Sequence, residues 1–338
     1  MQTGLFAKCE RKINLPHLRA SVLLLTYNQE GFVKEALQSL IAQDVVDLEI
    51  VVSDDQSSDS TWEVVKLLAS QYKGTKTIIL HRNTCNLGVV GNYFAAFSIS
   101  SGDLIFTSAG DDISLPTRCS ASIAYWEQFG RRVDLVATDA YDMHLNGTLV
   151  RTKQTDDLQD WDLRRWALKR PYIFGASHMM TRRLLKIGRL DPRLPYEDQC
   201  LMFRALLMGG ALRLPQPLVK HRQGGISQQA KNYSYSIKKE KLLQSSLDAI
   251  AECAQMRADA YILGCPGYIL NKLTSTQINA QYAHDILLAQ NFQERYRLLM
   301  STRVISFPKK FRYFHFTAFS GFHCAVMRLK SFLNKSSQ

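Results

Sequence analysis

The sequence predicts an α/β protein: a Rossmann-like, mostly parallel sheet flanked by helices, followed by a C-terminal helical extension. Three observations predict it. Short continuous apolar runs alternate with stretches of helical periodicity through the first third of the chain. Polar and acidic residues follow those runs instead of interrupting them. Beyond residue 229 the apolar positions keep helical spacing and bases outnumber acids. The expected organisation is a lead over 1–19, an α/β domain over 20–228 and a basic, mainly helical region over 229–338.

Residues 21–26, SVLLLT, form an unbroken apolar run, the mark of a strand buried on both faces of a parallel sheet. A helix over 30–43 comes next, then a strand over 48–53 and a helix over 59–72, capped by the Ser/Asp cluster before it. A strand over 77–80, a helix over 89–99 and a strand over 104–108 complete the alternation, which ends at Gly110-Asp111-Asp112. Such βαβ units place their ligands outside the carboxyl ends of the strands. Beyond Pro116 the pattern gives a helix near 120–129, a strand near 133–138 and a turn at Asn146-Gly147. Residues 152–170, with mixed charges and two tryptophans, read as a mobile acceptor loop. A helix runs from Tyr196-Glu197-Asp198 to about residue 208, and 218–221 is the last strand. From Lys231 onward the pattern is helical, broken at Pro266-Gly267 and Pro308.

Composition narrows the function classes. Hydrophobic residues at 46% and charged residues at 21%, without repeats or low-complexity tracts, exclude a disordered chain or a repeat array. Seven cysteines, odd in number and without a C-x-x-C pair, fit free thiols in a reducing cytoplasm. The start of the chain lacks the pattern of a secretory signal, and the apolar runs are of strand length, so no membrane-spanning helix is expected. The net charge of +12 is concentrated late: 231–338 carries 15 Lys and Arg against six Asp and Glu. A basic tail suits anionic headgroups, nucleic acid or an acidic acceptor.

The chemistry lies in acids placed after strands. Asp54 and Asp55 can accept the imide N–H of a pyrimidine or a ribose hydroxyl, or they can serve as a cap for the following helix. Asp111 and Asp112 are hard oxygen ligands of the kind that hold Mg²⁺ or Mn²⁺ with phosphate oxygens and water, although a solvated turn before Pro116 uses the same residues. Glu197 and Asp198 open a helix, where acids complement the macrodipole and where a carboxylate can also act as a general base. His221, followed by Arg222, Gly224 and Gly225, can ligate a metal or contact a diphosphate, with Arg222 assisting.

In order, SVLLLTYNQE, EIVVSDDQSSDST, NLG, GDLIFTSAGDDISLPTR, YEDQ and HRQGGIS resemble the family 2 glycosyltransferases of the GT-A fold, over roughly residues 20 to 228. The resemblance implies an inverting transfer of a sugar from a UDP- or dTDP-sugar donor to a hydroxyl of a glycan or lipid-linked acceptor in bacterial surface polysaccharide synthesis. It places Thr26, Tyr27, Asn28, Glu30, Asp54, Asp55, Asn86, Asp111 and Arg222 around the donor. It makes Asp111, Asp112 and His221 the site of a Mn²⁺ or Mg²⁺ ion, and Asp198, beside Glu197, the catalytic base. The commoner metal motif has a further acid where this chain has Ala109-Gly110, and many members have an arginine where it has Gly91. The rivals are a sugar nucleotidyltransferase, whose basic glycine-rich loop is missing after Thr26, and a non-catalytic polyanion binder, which has no use for three acidic pairs at one rim. No nucleic-acid partner is expected.

The end of the chain carries one more expectation. At 100° per residue, Phe311, Phe314, Ala318, Phe322, Ala325, Leu329 and Phe332 form one apolar stripe flanked by Lys310, Arg312, Arg328 and Lys330. Such a helix can lie in a membrane interface or pack on the catalytic domain. The expected location is the cytoplasm, peripheral to the inner face of the membrane.

Overall fold

A computed structural model of the chain describes residues 18–223, 234–301, 305–319 and 321. Most of the expected lead, Gly224 and Gly225, and the stripe residues Phe322, Ala325, Leu329 and Phe332 lie outside them.

The first strands and helices are β1 (Ala20–Thr26), α1 (Val33–Ile41), β2 (Leu48–Asp54), α2 (Thr61–Gln71), β3 (Thr77–Arg82), α3 (Gly88–Ile99) and β4 (Leu104–Ala109). The predicted alternation is present, with β1 pairing in parallel with both β2 and β4, and β2 with β3. Register sets where the strands end: Thr26 is opposite Asp54, Asp54 is opposite Arg82, and Leu25 is opposite Ala109. The carboxyl ends of four strands therefore finish level, and the loops after them share one rim.

Alternation along β1 feeds two cores. Val22 and Leu24 join Val33, Leu37 and Leu40 of α1 on one face, while Leu23 meets Val90, Tyr93 and Phe94 of α3 on the other. All of these side chains are buried. The continuous apolar reading of β1 follows from this double burial.

Beyond β4 come β5 (Ile113–Ser114), α4 (Arg118–Gln128), β6 (Leu135–Met143), β7 (Leu149–Lys153), α5 (Leu163–Leu168), β8 (His178–Thr181), α6 (Arg182–Lys186), α7 (Asp198–Leu207) and β9 (Leu212–Arg222). The strand order is β3-β2-β1-β4-β8-β6-β9-β5, with β7 on β6. The expectation of a mostly parallel sheet holds among β1 to β4, and the sheet as a whole is mixed. Past that point β8 runs antiparallel to both β4 and β6, β7 to β6 and β5 to β9, leaving β6–β9 as the parallel pair. The short Asn146-Gly147 turn, with φ +86 at Gly147, sends the chain straight back and so can make only an antiparallel partner.

Residues 152–170 are not the loop that their mixed composition suggested. Strand β7 reaches into the segment as far as Lys153, a 3-10 turn spans Leu158–Asp160 and α5 follows, and Trp161 and Trp166 are buried in the larger core. The Trp166 ring lies 4.5 Å from that of Phe203. Anchoring by two indoles outweighs the polar residues around them.

The C-terminal helices are α8 (Tyr235–Leu263), α9 (Gly267–Leu288), α10 (Phe292–Ser301) and α11 (Phe307–Ala318). Cys253, Met256 and Ala260 of α8 and Ile269 and Leu273 of α9 belong to the same core as α7. One buried ion pair fixes that contact: Arg204 of α7 meets Asp259 of α8 through two bonds of 2.8 and 3.1 Å. The remaining Arg204 donor faces the carbonyls of Leu184 and Gly188 at 3.2 and 3.0 Å, so the buried guanidinium is well satisfied. Phe314 of α11 is buried with Tyr282, Ile286 and Leu299, and Phe316, which the stripe left on the polar side, packs on Leu287. The described part of the stripe is thus divided, with Phe314 inside and Phe311 46% exposed. No helix among the described residues is long and apolar enough to cross a membrane.

Candidate active site

The level rim surrounds a cavity of about 630 Å³, lined from every strand end the sequence singled out. At the β2 end the two acids divide their work. Asp54 is fully buried and lies off the cavity wall. It accepts from the Ser57 amide at 3.0 Å and from Thr26 Oγ1 at 3.2 Å, and pairs with Arg82 at 3.2 Å. Asp55 does line the cavity, and its carboxylate accepts from Asn83 Nδ2, Leu87 N and Gly88 N at 2.8, 2.8 and 2.9 Å. It therefore holds the Asn86-Leu87-Gly88 turn, in which Gly88 has φ +73, against the site.

Neither acid caps α2. That end is served from across the rim by Glu30, which accepts the Ser60 amide at 2.9 Å, and by Asp59, which accepts the Thr61 amide at 3.0 Å. Asn28 accepts the Ser58 amide at 2.8 Å. Glu30 and Asn28 thus tie the β1 and β2 loops together, whereas Thr26, Tyr27 and Asn86 face the cavity.

At the β4 end Gly110 touches the β1 loop so closely that a Cβ would lie 2.3 Å from Gln29 Oε1. Asp111 and Asp112 follow it and both line the cavity. Burial raises the pKa of each, and the neighbouring Asp111 charge adds to the effect at Asp112, which reaches about 8. Asp112 Oδ1 accepts the Arg222 amide at 3.0 Å. The Arg222 side chain is engaged outside the cavity centre: it donates to the carbonyls of Asp111 and Leu145 at 3.0 and 2.9 Å and pairs with Glu35 at 2.6 Å.

Among the described residues no three of His, Cys, Asp and Glu gather closely enough to cage a metal ion. Two adjacent carboxylates held at raised pKa nevertheless suit a divalent cation whose other ligands are phosphate oxygens and water. His221 lies on the same wall, its Nδ1 3.4 Å from Asp142 Oδ1 and 3.5 Å from Lys153 Nζ. Burial, with the Lys153 charge, lowers its pKa, so at pH 7 it is a neutral imidazole and its contact with Asp142 is not an ion pair.

Opposite the dyad, Glu197 precedes α7 and Asp198 begins it, and both line the cavity. Burial lifts Glu197 to about 7, aided by the Asp198 charge. Burial likewise lifts Asp198 to about 6, against the lowering effect of the Gln199 amide that Oδ1 accepts at 2.6 Å. Gly175 lets its segment approach this pair: a Cβ there would stand 3.4 Å from both Glu197 Oε1 and Asp198 Cβ.

The cavity thus gathers Thr26, Tyr27, Asp55, Asn86, Asp111, Asp112, Glu197, Asp198, His221 and Arg222, and leaves out Asn28 and Glu30, which are exposed on the loop outside it, and Asp54, which is buried behind it. It also holds residues that the sequence did not single out. Lys153 sits at the end of β7 with its ammonium 4.5 Å from the Phe174 ring centre, and is unpaired with any carboxylate among the described residues. Asn92 of α3 donates to the Ser53 carbonyl at 3.0 Å and accepts from Asn83 at 3.0 Å. No spacing signal marks Lys153, because β7 is a short exposed strand. Asn92 stood in view as the residue after Gly91 in the motif.

Comparison with known proteins fits this geometry. Residues 21–188 match the model of glycosyl transferase family 2. An uncharacterized glycosyltransferase of Methanocaldococcus jannaschii is 27% identical over 176 residues, 52% of this chain and 59% of that protein. The abequosyltransferase RfbV of Salmonella typhimurium is 34% identical over 94 residues, 27% of this chain and 28% of that one. The UDP-Glc:alpha-D-GlcNAc-diphosphoundecaprenol beta-1,3-glucosyltransferase WfaP of Escherichia coli is 27% identical over 107 residues, 32% of this chain and 41% of that one. The chain therefore spans between 28% and 59% of these relatives.

Among solved structures, S. aureus TarS 1-349 superposes with a TM-score of 0.55 at 17% identity, over 89% of this chain and 81% of that one. Its complex with UDP-GlcNAc gives 0.51 at 18% over 82% and 83%. The mannosyltransferase PcManGT of Pyrobaculum calidifontis, in complex with GDP-Man and Mn²⁺, gives 0.51 at 13% over 89% and 86%. At these identities the structures establish the GT-A type of fold. With the acids of two strand ends and one helix start converging on a single cavity, and with residues 21–188 matching the family model, the chain belongs to glycosyltransferase family 2.

Proposed function

We propose that the chain is an inverting glycosyltransferase that moves a sugar from a UDP- or dTDP-sugar to a hydroxyl of a glycan or lipid-linked acceptor in surface polysaccharide synthesis. The observation that carries this reading is Asp198. Its carboxylate, with a pKa near 6, shares one cavity with Asp55 and the Asp111-Asp112 pair. The activities that give RfbV and WfaP their names, and the nucleotide sugars bound by the TarS and PcManGT structures, support the substrate class.

In this reading Tyr27, Thr26, Asp55 and Asn86 receive the base and ribose. Asp111 and Asp112, with His221 beside them, would hold Mn²⁺ or Mg²⁺, which when bound neutralises charge on the diphosphate. Lys153 supplies a fixed positive charge on the same side. The acceptor oxygen attacks the anomeric carbon opposite the diphosphate. Its proton passes to Asp198 as the new C–O bond forms, and the electron pair of the breaking bond leaves on the nucleotide diphosphate. One displacement inverts the anomeric centre. Glu197, near 7, retains a proton for much of the time and so limits the negative charge beside the base.

The reading extends to a membrane surface. Phe307, Phe311 and Phe319 are 57%, 46% and 49% exposed beside basic residues of α11, as an interfacial helix requires. Removal of residues 308–338 should release the protein from anionic vesicles, and unchanged pelleting would refute that part.

The donor assignment is tested by thermal shift with UDP-, dTDP- and GDP-sugars, with and without Mn²⁺ or Mg²⁺. A ligand at one hundred times its Kd stabilises the fold by about 2.7 kcal/mol. A screen in which no nucleotide sugar moves the melting curve would remove the basis of the proposal.

A further inference from the structure

A second cavity, of about 590 Å³, adjoins the first at Tyr196, which lines both. Tyr196 is 52% exposed and immediately precedes Glu197 and Asp198. One side of this cavity is the segment 166–170, and the other is formed by α8 and α9, which contribute Ser245, Asp248, Glu252, Lys272 and Thr276. Arg170 bridges the two sides: its guanidinium stands 5.8 Å from the Trp166 ring and is hydrogen-bonded to Glu252. The cleft is thus held open between packed elements, because Trp166 and Leu273 at its base both belong to the main core.

Its chemistry is specific. The carboxylates of Asp248 and Glu252, the ammonium groups of Lys169 and Lys272, the Arg170 guanidinium and the hydroxyls of Ser245 and Thr276 share it with the exposed phenol ring of Tyr196. A sugar hydroxyl both donates and accepts, so it needs acceptors and donors within the same short span, and the C–H face of the ring sits against an aromatic side chain. A nucleic acid would need bases unrelieved by acids, and an acyl chain would need an apolar trough. Here Asp248 and Glu252 stand among the bases, and charged groups interrupt the apolar residues, a mixture that suits a sugar chain better than either.

We propose that this cleft is the acceptor subsite, and that it takes an oligosaccharide more than one residue long. The sugar that receives the transfer lies at Asp198, Tyr196 stacks at the junction, and the preceding sugars of the acceptor chain run between 166–170 and the α8–α9 pair. This rests on the glycosyl-transfer reading above and specifies its acceptor. The C-terminal helices then contribute to specificity as well as to packing.

Two variants close the cleft from different helices without touching the first cavity, Thr276→Trp on α9 and Ser245→Trp on α8. Saturation-transfer NMR with aryl trisaccharides of glucose, galactose, mannose, rhamnose and N-acetylglucosamine reads the cleft, and UDP and dTDP read the donor site of the same samples. At least one trisaccharide should bind the wild-type protein. In each variant its affinity should fall about tenfold or more, the loss of about 1.4 kcal/mol, with UDP or dTDP binding retained as proof of fold. Trisaccharide binding that is absent from the wild type, or equal in the variants, overturns the proposal. The donor reading is judged on UDP and dTDP binding in the same samples, so a failed donor site and a failed acceptor cleft give different patterns.

Discussion

Replacing Asp198 by Asn keeps the shape of the side chain and removes the proton acceptor. The wild-type carboxylate, with a pKa of about 6, is about 97% ionised at pH 7.5. It is also roughly 2 pKa units more basic than an ordinary aspartate, which strengthens its pull on the acceptor proton. General-base assistance contributes about 10² to 10⁴ in rate, so Asp198→Asn should lower kcat by that factor, or about 2.7 to 5.5 kcal/mol of barrier. Donor affinity should stay within about twofold, since the carboxylate bonds to the amide of Gln199 on its own helix. The assay is nucleotide release under saturating donor, with UDP affinity measured separately by calorimetry. The pH profile adds a second signature. Activity requires the ionised base, so wild-type kcat should fall about tenfold per unit below about pH 6, and the variant should lose that limb. A variant that keeps more than about a tenth of wild-type kcat, or the same acidic limb, refutes Asp198 as the base.

Other parts of the molecule give further expected outcomes. Asp112 has its folded pKa raised by burial to about 8, so its contribution to stability is complete below its unfolded value and is lost as pH rises through 8. The ion-free protein should therefore lose on the order of 1–3 kcal/mol between pH 6 and 9; Asp112→Asn should flatten that slope in thermal melts and weaken Mn²⁺-dependent donor binding. Lys153→Met should raise the donor Kd about tenfold by calorimetry with an unchanged melting temperature, as expected for an ammonium that serves ligand and not fold. Asp259→Ala leaves the Arg204 guanidinium buried without its carboxylate and should cost about 3–5 kcal/mol in urea titration, most of it recovered in Arg204→Met/Asp259→Leu. Gly102→Ala places a Cβ 2.6 Å from the Ser21 amide nitrogen and 2.8 Å from the Ala20 carbonyl carbon, backbone that cannot yield, and should destabilise by about 1–3 kcal/mol in the same titration.

The N-terminal half was legible because β1, β2 and β4 are buried on both faces. A run such as residues 21–26 has no polar position to confuse it, and each loop acid then falls at a known end of a known strand. The second half resisted for the same kind of reason. Strand β7 is exposed along most of its length and has the composition of a loop, and β9 contains Pro215 and Pro217, which hid its first residues. The site acids were visible one by one, but their division of labour was not. Asp54 and Asp55 are adjacent in sequence and identical in type, yet strand alternation turns one inward to Ser57 and Arg82 and the other toward the cavity. Lys153 reaches the site only through an antiparallel pairing with β6 that no local pattern announces.

Arg222 sits at the end of β9, and its amide, side chain and neighbour His221 complete the wall that faces the β1 loop. Its bond to Glu35 joins residues 187 positions apart. Synthesis runs from the amino terminus, so the parallel half of the sheet leaves the ribosome long before this wall does. A nascent chain halted before residue 222 owns the rim of β1 to β4 and both acids of the dyad, but Asp112 lacks the amide that holds it and Glu35 lacks its cation. The closing of the sheet, and with it the wall beside the dyad, is thereby placed late in the life of the chain, after α7 has delivered Glu197 and Asp198.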